Sequence, residues 1–176
     1  MILLRFFLFF LITQSFEIAF ATMAPRSRSF MVQFSTTANN FANDAPTEQF
    51  HLNGSLDLIY LVRFGPSFGL RYYAETRNEI GSIEGGQSFG ALIGYYHYSG
   101  FNLLAIYDFS AKLGPWNKGS GFQADMGYLE HIGSQYHLGL KISHRSTKYT
   151  VDDRDSLARN RTVSDTYPSF VFMHLF

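Results

Sequence analysis

Apolar and polar residues alternate along most of the chain, in segments separated by polar or glycine-containing connections. This period of two is typical of a β-strand with one apolar and one polar face. In one segment the even positions from Phe50 to Val62 are mostly apolar and the odd positions mostly polar, with Ile59 and Leu61 as exceptions. The pattern predicts eight strands, at residues 28–38, 49–63, 67–77, 87–98, 101–112, 119–130, 135–148 and 163–176.

The connections between these strands alternate in length. Short glycine-bearing turns are predicted at 65–67, 99–100 and 132–134, and longer polar loops at 37–48, 77–86, 112–118 and 150–162. An even number of strands with short turns at one end and longer loops at the other is typical of outer-membrane barrels. The predicted fold is therefore all-β, an eight-stranded antiparallel transmembrane β-barrel of the bacterial outer membrane.

The first residues have the features of a secretory signal peptide. Arg5 precedes an apolar run, and Ala19-Phe20-Ala21 has the small-x-small form of a cleavage site. A transmembrane helix is the alternative, but the apolar run is short and Gln14 and Glu17 interrupt it. We expect residues 1–21 to be the signal peptide and residues 22–176 to form the barrel.

A soluble barrel such as a lipocalin would show the same alternation with its polar face turned outward. Charge favours the membrane alternative, because seven charged residues on the polar faces could pair inside a filled lumen: Asp57, Arg71, Glu75, Asp108, Asp125, Lys141 and Arg145. Aromatic residues on the apolar faces also gather near the short turns, as membrane-interface girdles do. These are Phe68, Tyr95, Phe101, Tyr128, Tyr136 and Phe176.

Composition limits the possible partners and cofactors. The chain has no cysteine, so no disulfide or lipoprotein anchor is available, and its net charge of zero gives no reason to expect nucleic acid. The six histidines lack the spacing of metal ligands. We therefore predict no metal site and no cofactor.

The seventh predicted strand carries the chemically interesting residues. Its apolar parity continues from Leu140 and Ile142 into His144 and Ser146. On a strand tilted in the membrane these two lie roughly 23 Å and roughly 29 Å above the turn, near the outer edge of the apolar band. An imidazole beside a hydroxyl can activate it as a nucleophile, but the same pair could be ordinary interface residues.

The stretch "LGLKISHRS", Leu138 to Ser146, resembles the motif region of the lipid A 3-O-deacylase (PagL) family of outer-membrane barrels. "GSGFQ" (119–123) is similar to the start of that family's preceding strand, and "SDTYPSFVF" (164–172) to its last strand. The resemblance implies His144 as general base, Ser146 as nucleophile and Asp165 as the acid that orients the base.

The chain departs from the family's pattern after the serine. Thr147, Lys148 and Tyr149 stand where the family usually has Asn and then Ala-Gly, and no clear counterpart of the asparagine thought to bind the oxyanion is present. The acid is Asp rather than Glu, and by parity from Phe176 it points inward unless Pro168 marks a bulge. The other acids that could serve are Asp152, Asp153 and Asp155.

The resemblance implies hydrolysis of an ester-linked acyl chain of lipopolysaccharide (lipid A). The C-terminal "FVFMHLF" resembles the signal that the barrel assembly machinery recognises in outer-membrane proteins. Two alternatives stay open: a non-enzymatic small barrel similar to OmpX-like adhesion or envelope-stabilising proteins, and an inactive descendant of the enzyme family.

Overall fold

The protein is a closed, all-antiparallel barrel of eight long strands. The computed structural model describes residues 28–41, 49–62, 65–79, 82–152 and 160–176. The long strands are β1 (Arg28–Phe41), β2 (Gln49–Val62), β3 (Pro66–Glu79), β4 (Ser82–Tyr96), β5 (Phe101–Leu113), β6 (Trp116–His131), β7 (Tyr136–Tyr149) and β9 (Arg161–Leu175), and a two-residue strand β8 (Val151–Asp152) pairs with β6. The predicted fold class is confirmed. The predicted signal peptide, 1–21, lies outside the described residues.

Each long strand pairs with its neighbours in the chain, and β1 pairs with β9 to close the barrel. The end that holds the short β2–β3, β4–β5 and β6–β7 connections and both ends of the barrel's chain is called the turn end below, and the opposite end the loop end. No described segment is a helix long and apolar enough to cross a membrane.

Two of the four long loops expected from the sequence are mostly strand. β3 and β4 stay paired as far as Glu79 opposite Ser82, and β5 and β6 as far as Leu113 opposite Trp116. Loop prediction was wrong there because polar residues occupy both faces near the loop end, which hides the period of two although backbone pairing continues. The connection between β1 and β2, residues 42–48, lies outside the described residues.

The barrel is apolar outside and polar within. On β2 and β7 the exposed residues are the even-numbered ones, such as Leu58, Leu140 and Ile142, as the alternation predicted. The six aromatic residues expected near the turns also face outward. This distribution is the reverse of a soluble barrel's and is compatible with an outer-membrane protein.

All seven charged residues expected in the lumen are buried there. In the middle of the barrel Arg71 contacts Asp57 at 2.6 Å and Asp125 at 2.9 Å, and Lys141 contacts Asp125 at 3.0 Å. Nearer the loop end Arg145 contacts Glu75 at 3.0 Å and Asp108 at 3.1 Å. Paired charges of both signs fill the interior, so the lumen holds a packed network.

Apolar clusters close this network at both ends. The one at the turn end contains the two residues that broke the alternation, Ile59 and Leu61, together with Met31, Leu92, Tyr96, Leu104, Ile106, Leu129, Val171 and Met173. The one at the loop end contains Ala111, Leu113 and Tyr149, with Trp116 and Val163 against it. The apolar exceptions on β2 are therefore lumen residues that seal the turn end.

Loss of Arg71 should destabilise the barrel strongly. Arg71→Met leaves Asp57 without its arginine and Asp125 with Lys141 as its remaining cationic partner, and removing one partner from a buried ion pair costs about 3–5 kcal/mol. The measurement is urea unfolding of the barrel refolded in lipid vesicles. Glu130→Gln, at an exposed pair with Tyr128 near the turn end, is the control and should change stability by less than about 0.5 kcal/mol. Equal changes in the free energy of unfolding for Arg71→Met and Glu130→Gln would contradict the view that the charge network in the lumen holds the strands together.

Candidate functional site

His144 and Ser146 lie on the outward face of β7, in its loop-end half. His144 is exposed and Ser146 half-exposed, while Arg145 between them is buried in the lumen. Residues two apart on a strand are separated by about 6.6 Å along it and point the same way. The structure therefore places both side chains on the face where the sequence put them.

The imidazole of His144 is held by a hydroxyl group. Thr166 lies directly opposite His144 on β9, and its Oγ1 is 2.8 Å from His144 Nδ1. When Nδ1 carries the proton, it donates to Thr166 and leaves Nε2 as the basic nitrogen. This is the tautomer that a base needs in order to accept a proton from a serine hydroxyl. Within the described part of the chain, His144 and Ser146 are not hydrogen-bonded to each other.

Asp165 of β9 lies at nearly the same height on the barrel as His144 and Ser146, but its side chain is on the inner face of the wall. It is opposite Arg145 in the strand register, and its carboxylate binds Arg77 inside the barrel. β7 and β9 pair without a register shift from Tyr149 to Tyr136, so Pro168 causes no bulge between these two strands. The carboxylate is therefore not behind the imidazole. Of the alternative acids, Asp153 and Asp155 and the side chain of Asp152 lie outside the described residues.

Thr166 is the site residue that sequence reasoning missed. The parity count from Phe176 that turns Asp165 inward also turns Thr166 outward, so the sequence indicated the face of Thr166 but not its contact with His144. The family resemblance implied that a carboxylate orients His144, but the pairing of β7 with β9 places the hydroxyl of Thr166 beside the imidazole. Ser164, opposite Ser146, is the next outward residue of β9.

An apolar groove on the outer wall ends at His144. Its floor is formed by Ala105 and Ala124, which lie opposite each other on β5 and β6, and His144 follows next to Ala124 on β7. This feature, called the outer groove below, has a volume of about 670 Å³. Its outward-facing lining is Pro66, Ile93, Tyr95, Leu103, Ala105, Ala124, Met126, Ile142 and His144.

The outer groove has small residues at its floor and a row of large ones beside them. Leu103, Met126 and Ile142 are neighbours on adjacent strands and line the groove on the side of the turn end. From Ile93 across the two alanines to His144 the groove crosses three inter-strand spacings, about 14 Å. It can seat an extended apolar chain with one end at the imidazole.

No group of three or more potential His, Cys, Asp or Glu ligands occurs among the described residues. The outward face has an imidazole, a serine hydroxyl two residues further along the same strand and an apolar groove, and an imidazole and a serine hydroxyl are groups that acyl transfer uses.

The comparisons with known proteins add no family name. No protein-family model matches the chain, and a search of curated proteins gives no match. The eight-stranded barrel is thus established by the structure, and the resemblance to lipid A deacylases rests on the residues of β6, β7 and β9.

Proposed function

We propose that the protein is an outer-membrane hydrolase that removes an ester-linked acyl chain from lipopolysaccharide in the surrounding leaflet. The observation that carries the proposal is the outer groove, which runs along the apolar outer wall and ends at His144. A substrate held there reaches the site from within the membrane. The apolar exterior, the aromatic residues of the turn end and the C-terminal "FVFMHLF" support assembly in that membrane.

The chemistry assigns one role to each side chain. Ser146 Oγ attacks the ester carbonyl while His144 Nε2 accepts its proton. The same proton then passes to the sugar oxygen as the ester C–O bond breaks, which releases the sugar hydroxyl and leaves the acyl group on Ser146. Water, with its proton accepted by His144, then attacks the carbonyl carbon of the acyl-serine and releases the fatty acid. Thr166 is a positioning residue that holds the imidazole through Nδ1.

A threonine in the acid's place has a chemical cost. A carboxylate both orients an imidazole and stabilises its positive charge, whereas a neutral hydroxyl only orients it. We therefore propose a slow hydrolase, with no cofactor, whose rate depends more on substrate binding in the outer groove than on a fully developed triad.

The direct test is mass spectrometry of lipid A from Gram-negative cells that express the wild-type protein or a variant. We expect the wild type to remove one acyl chain from lipid A. Ser146→Ala should abolish this loss because the nucleophile is absent, and His144→Asn should abolish it because the serine hydroxyl stays protonated without the imidazole. Each variant must be recovered as a folded barrel from the outer-membrane fraction. Unchanged lipid A in cells with abundant folded wild type would favour the non-enzymatic barrel.

Filling the outer groove should impair the reaction without changing the catalytic side chains. Ala124→Trp displaces about two methylenes of the bound chain, which corresponds to about a tenfold loss in kcat/KM. The matched control is Ala74→Trp on the outward face of β3, away from the groove, and it should retain wild-type activity. If both variants hydrolyse lipid A equally well, the groove does not bind the acyl chain.

Thr166 and Asp165 can be compared in the same assay. Thr166→Val removes the hydrogen bond to His144 and should lower kcat about five- to tenfold, whereas Thr166→Ser keeps a hydroxyl and should restore most of it. Asp165→Asn should leave kcat near the wild-type value, because its carboxylate binds Arg77 in the lumen. A larger loss of kcat in folded Asp165→Asn than in Thr166→Val would return the orienting role to Asp165.

A further inference from the structure

The lysines of this chain are not evenly distributed. The sequence has four, at 112, 118, 141 and 148. Lys141 is buried in the lumen, where it pairs with Asp125. The other three are all exposed and lie near the loop end of β5, β6 and β7. Every exposed lysine is therefore in one sector of the outer wall.

These three lysines, called the lysine patch below, are brought together by strand pairing. Ala111 lies opposite Gly119 and Leu113 opposite Trp116, with a shift of register between the two pairs, so Lys112 and Lys118 both lie in this last, irregular part of the β5–β6 hairpin. Thr150 Oγ1 donates a hydrogen bond to the carbonyl of Lys118, which fixes the end of β7 beside that residue. Lys148, two residues earlier, lies opposite Ser120 on β6.

No described carboxylate neutralises the patch. On the outward face of the loop-end halves of β4, β5, β6, β7 and β9, the residues whose side chains are described include no Asp or Glu. The acids of these segments point inward: Glu84 pairs with Arg161, Asp108 with Arg145, and Asp165 with Arg77. Among the described side chains, the patch is therefore a concentration of positive charge on the outer wall. The side chain of Asp152, whose backbone pairs with Trp116 of β6, lies outside the described residues.

The lysine patch lies immediately beyond the candidate site. Lys148 is two residues from Ser146 on the same face of β7, on the side away from the outer groove. An acyl chain in the groove with its ester at Ser146 would place its headgroup beside Lys148. Exposed lysines at a membrane surface attract anionic headgroups.

We propose that the lysine patch binds the phosphate groups of the lipid whose acyl chain occupies the outer groove, and so selects phosphorylated glycolipids over uncharged ones. This inference rests on the proposed function for the position of the headgroup. Lys148 stands where the deacylase motif usually has a small residue, so the proposed contact between this lysine and a lipid phosphate is a feature of this chain. Each lysine near the surface should contribute about fivefold to the affinity.

The test is a binding measurement with full-length Ser146→Ala protein folded in micelles of an uncharged detergent, so that the lipid stays intact. The probes are lipid A with its phosphates and the same lipid A after enzymatic removal of them. Replacing Lys112, Lys118 and Lys148 together by Gln should weaken binding of the phosphorylated lipid roughly 100-fold and leave binding of the dephosphorylated lipid unchanged. Added salt should weaken only the first interaction.

Two controls separate charge from general disturbance. Lys148→Arg keeps the charge and should bind as the parent does, and Thr162→Gln changes a neutral neighbour opposite Lys148 and should also have no effect. The inference is overturned if the triple variant binds phosphorylated lipid as tightly as its parent, or loses both lipids equally. Phosphate-dependent binding by a wild type that releases no fatty acid would instead preserve the lysine patch and refute the hydrolase.

Discussion

The arrangement of the whole molecule depends on the pairing of charges inside the barrel. Eight strands leave an interior that side chains must fill, and here arginine, lysine and carboxylate groups fill it. A buried charge without a partner costs several kcal/mol. A shift of even one residue in the pairing of a strand is therefore strongly unfavourable, because it turns every side chain of that strand to the opposite face. A slip of one residue on β7 would move Arg145 to the outer wall and His144 into the lumen.

The register that pairs the charges also constructs the outer face. Strand alternation means that the residues between the buried ones point outward, so the position of Arg145 fixes those of His144 and Ser146. The alanines of the outer groove are fixed in the same way, since Ala124 lies between buried Gln123 and Asp125. The candidate site is therefore built on a rigid wall, which is the support that a precise catalytic arrangement needs.

The sequence predicted what depends on parity and missed what depends on register. Alternation was sufficient for the number of long strands, for the inward charges and for the outward positions of His144 and Ser146, but it failed at the loop-end extensions of β3 to β6. It could not give the contact between His144 and Thr166, because that contact requires knowing which residue of β9 lies opposite. The outer groove was missed for the same reason: Ala105 and Ala124 form a floor only when β5 and β6 are aligned.

The placement of Asp165 shows how a motif and a fold can differ in what they determine. A motif records residue types in order along one strand, but the partner of a side chain is chosen by the face it occupies. Asp165 has the residue type and nearly the height of an orienting acid, yet its side chain points into the lumen, where it pairs with Arg77. The hydroxyl of Thr166 then holds the imidazole on the outer face. Stability of the interior and the proposed activity at the surface thus depend on adjacent residues of the same strand.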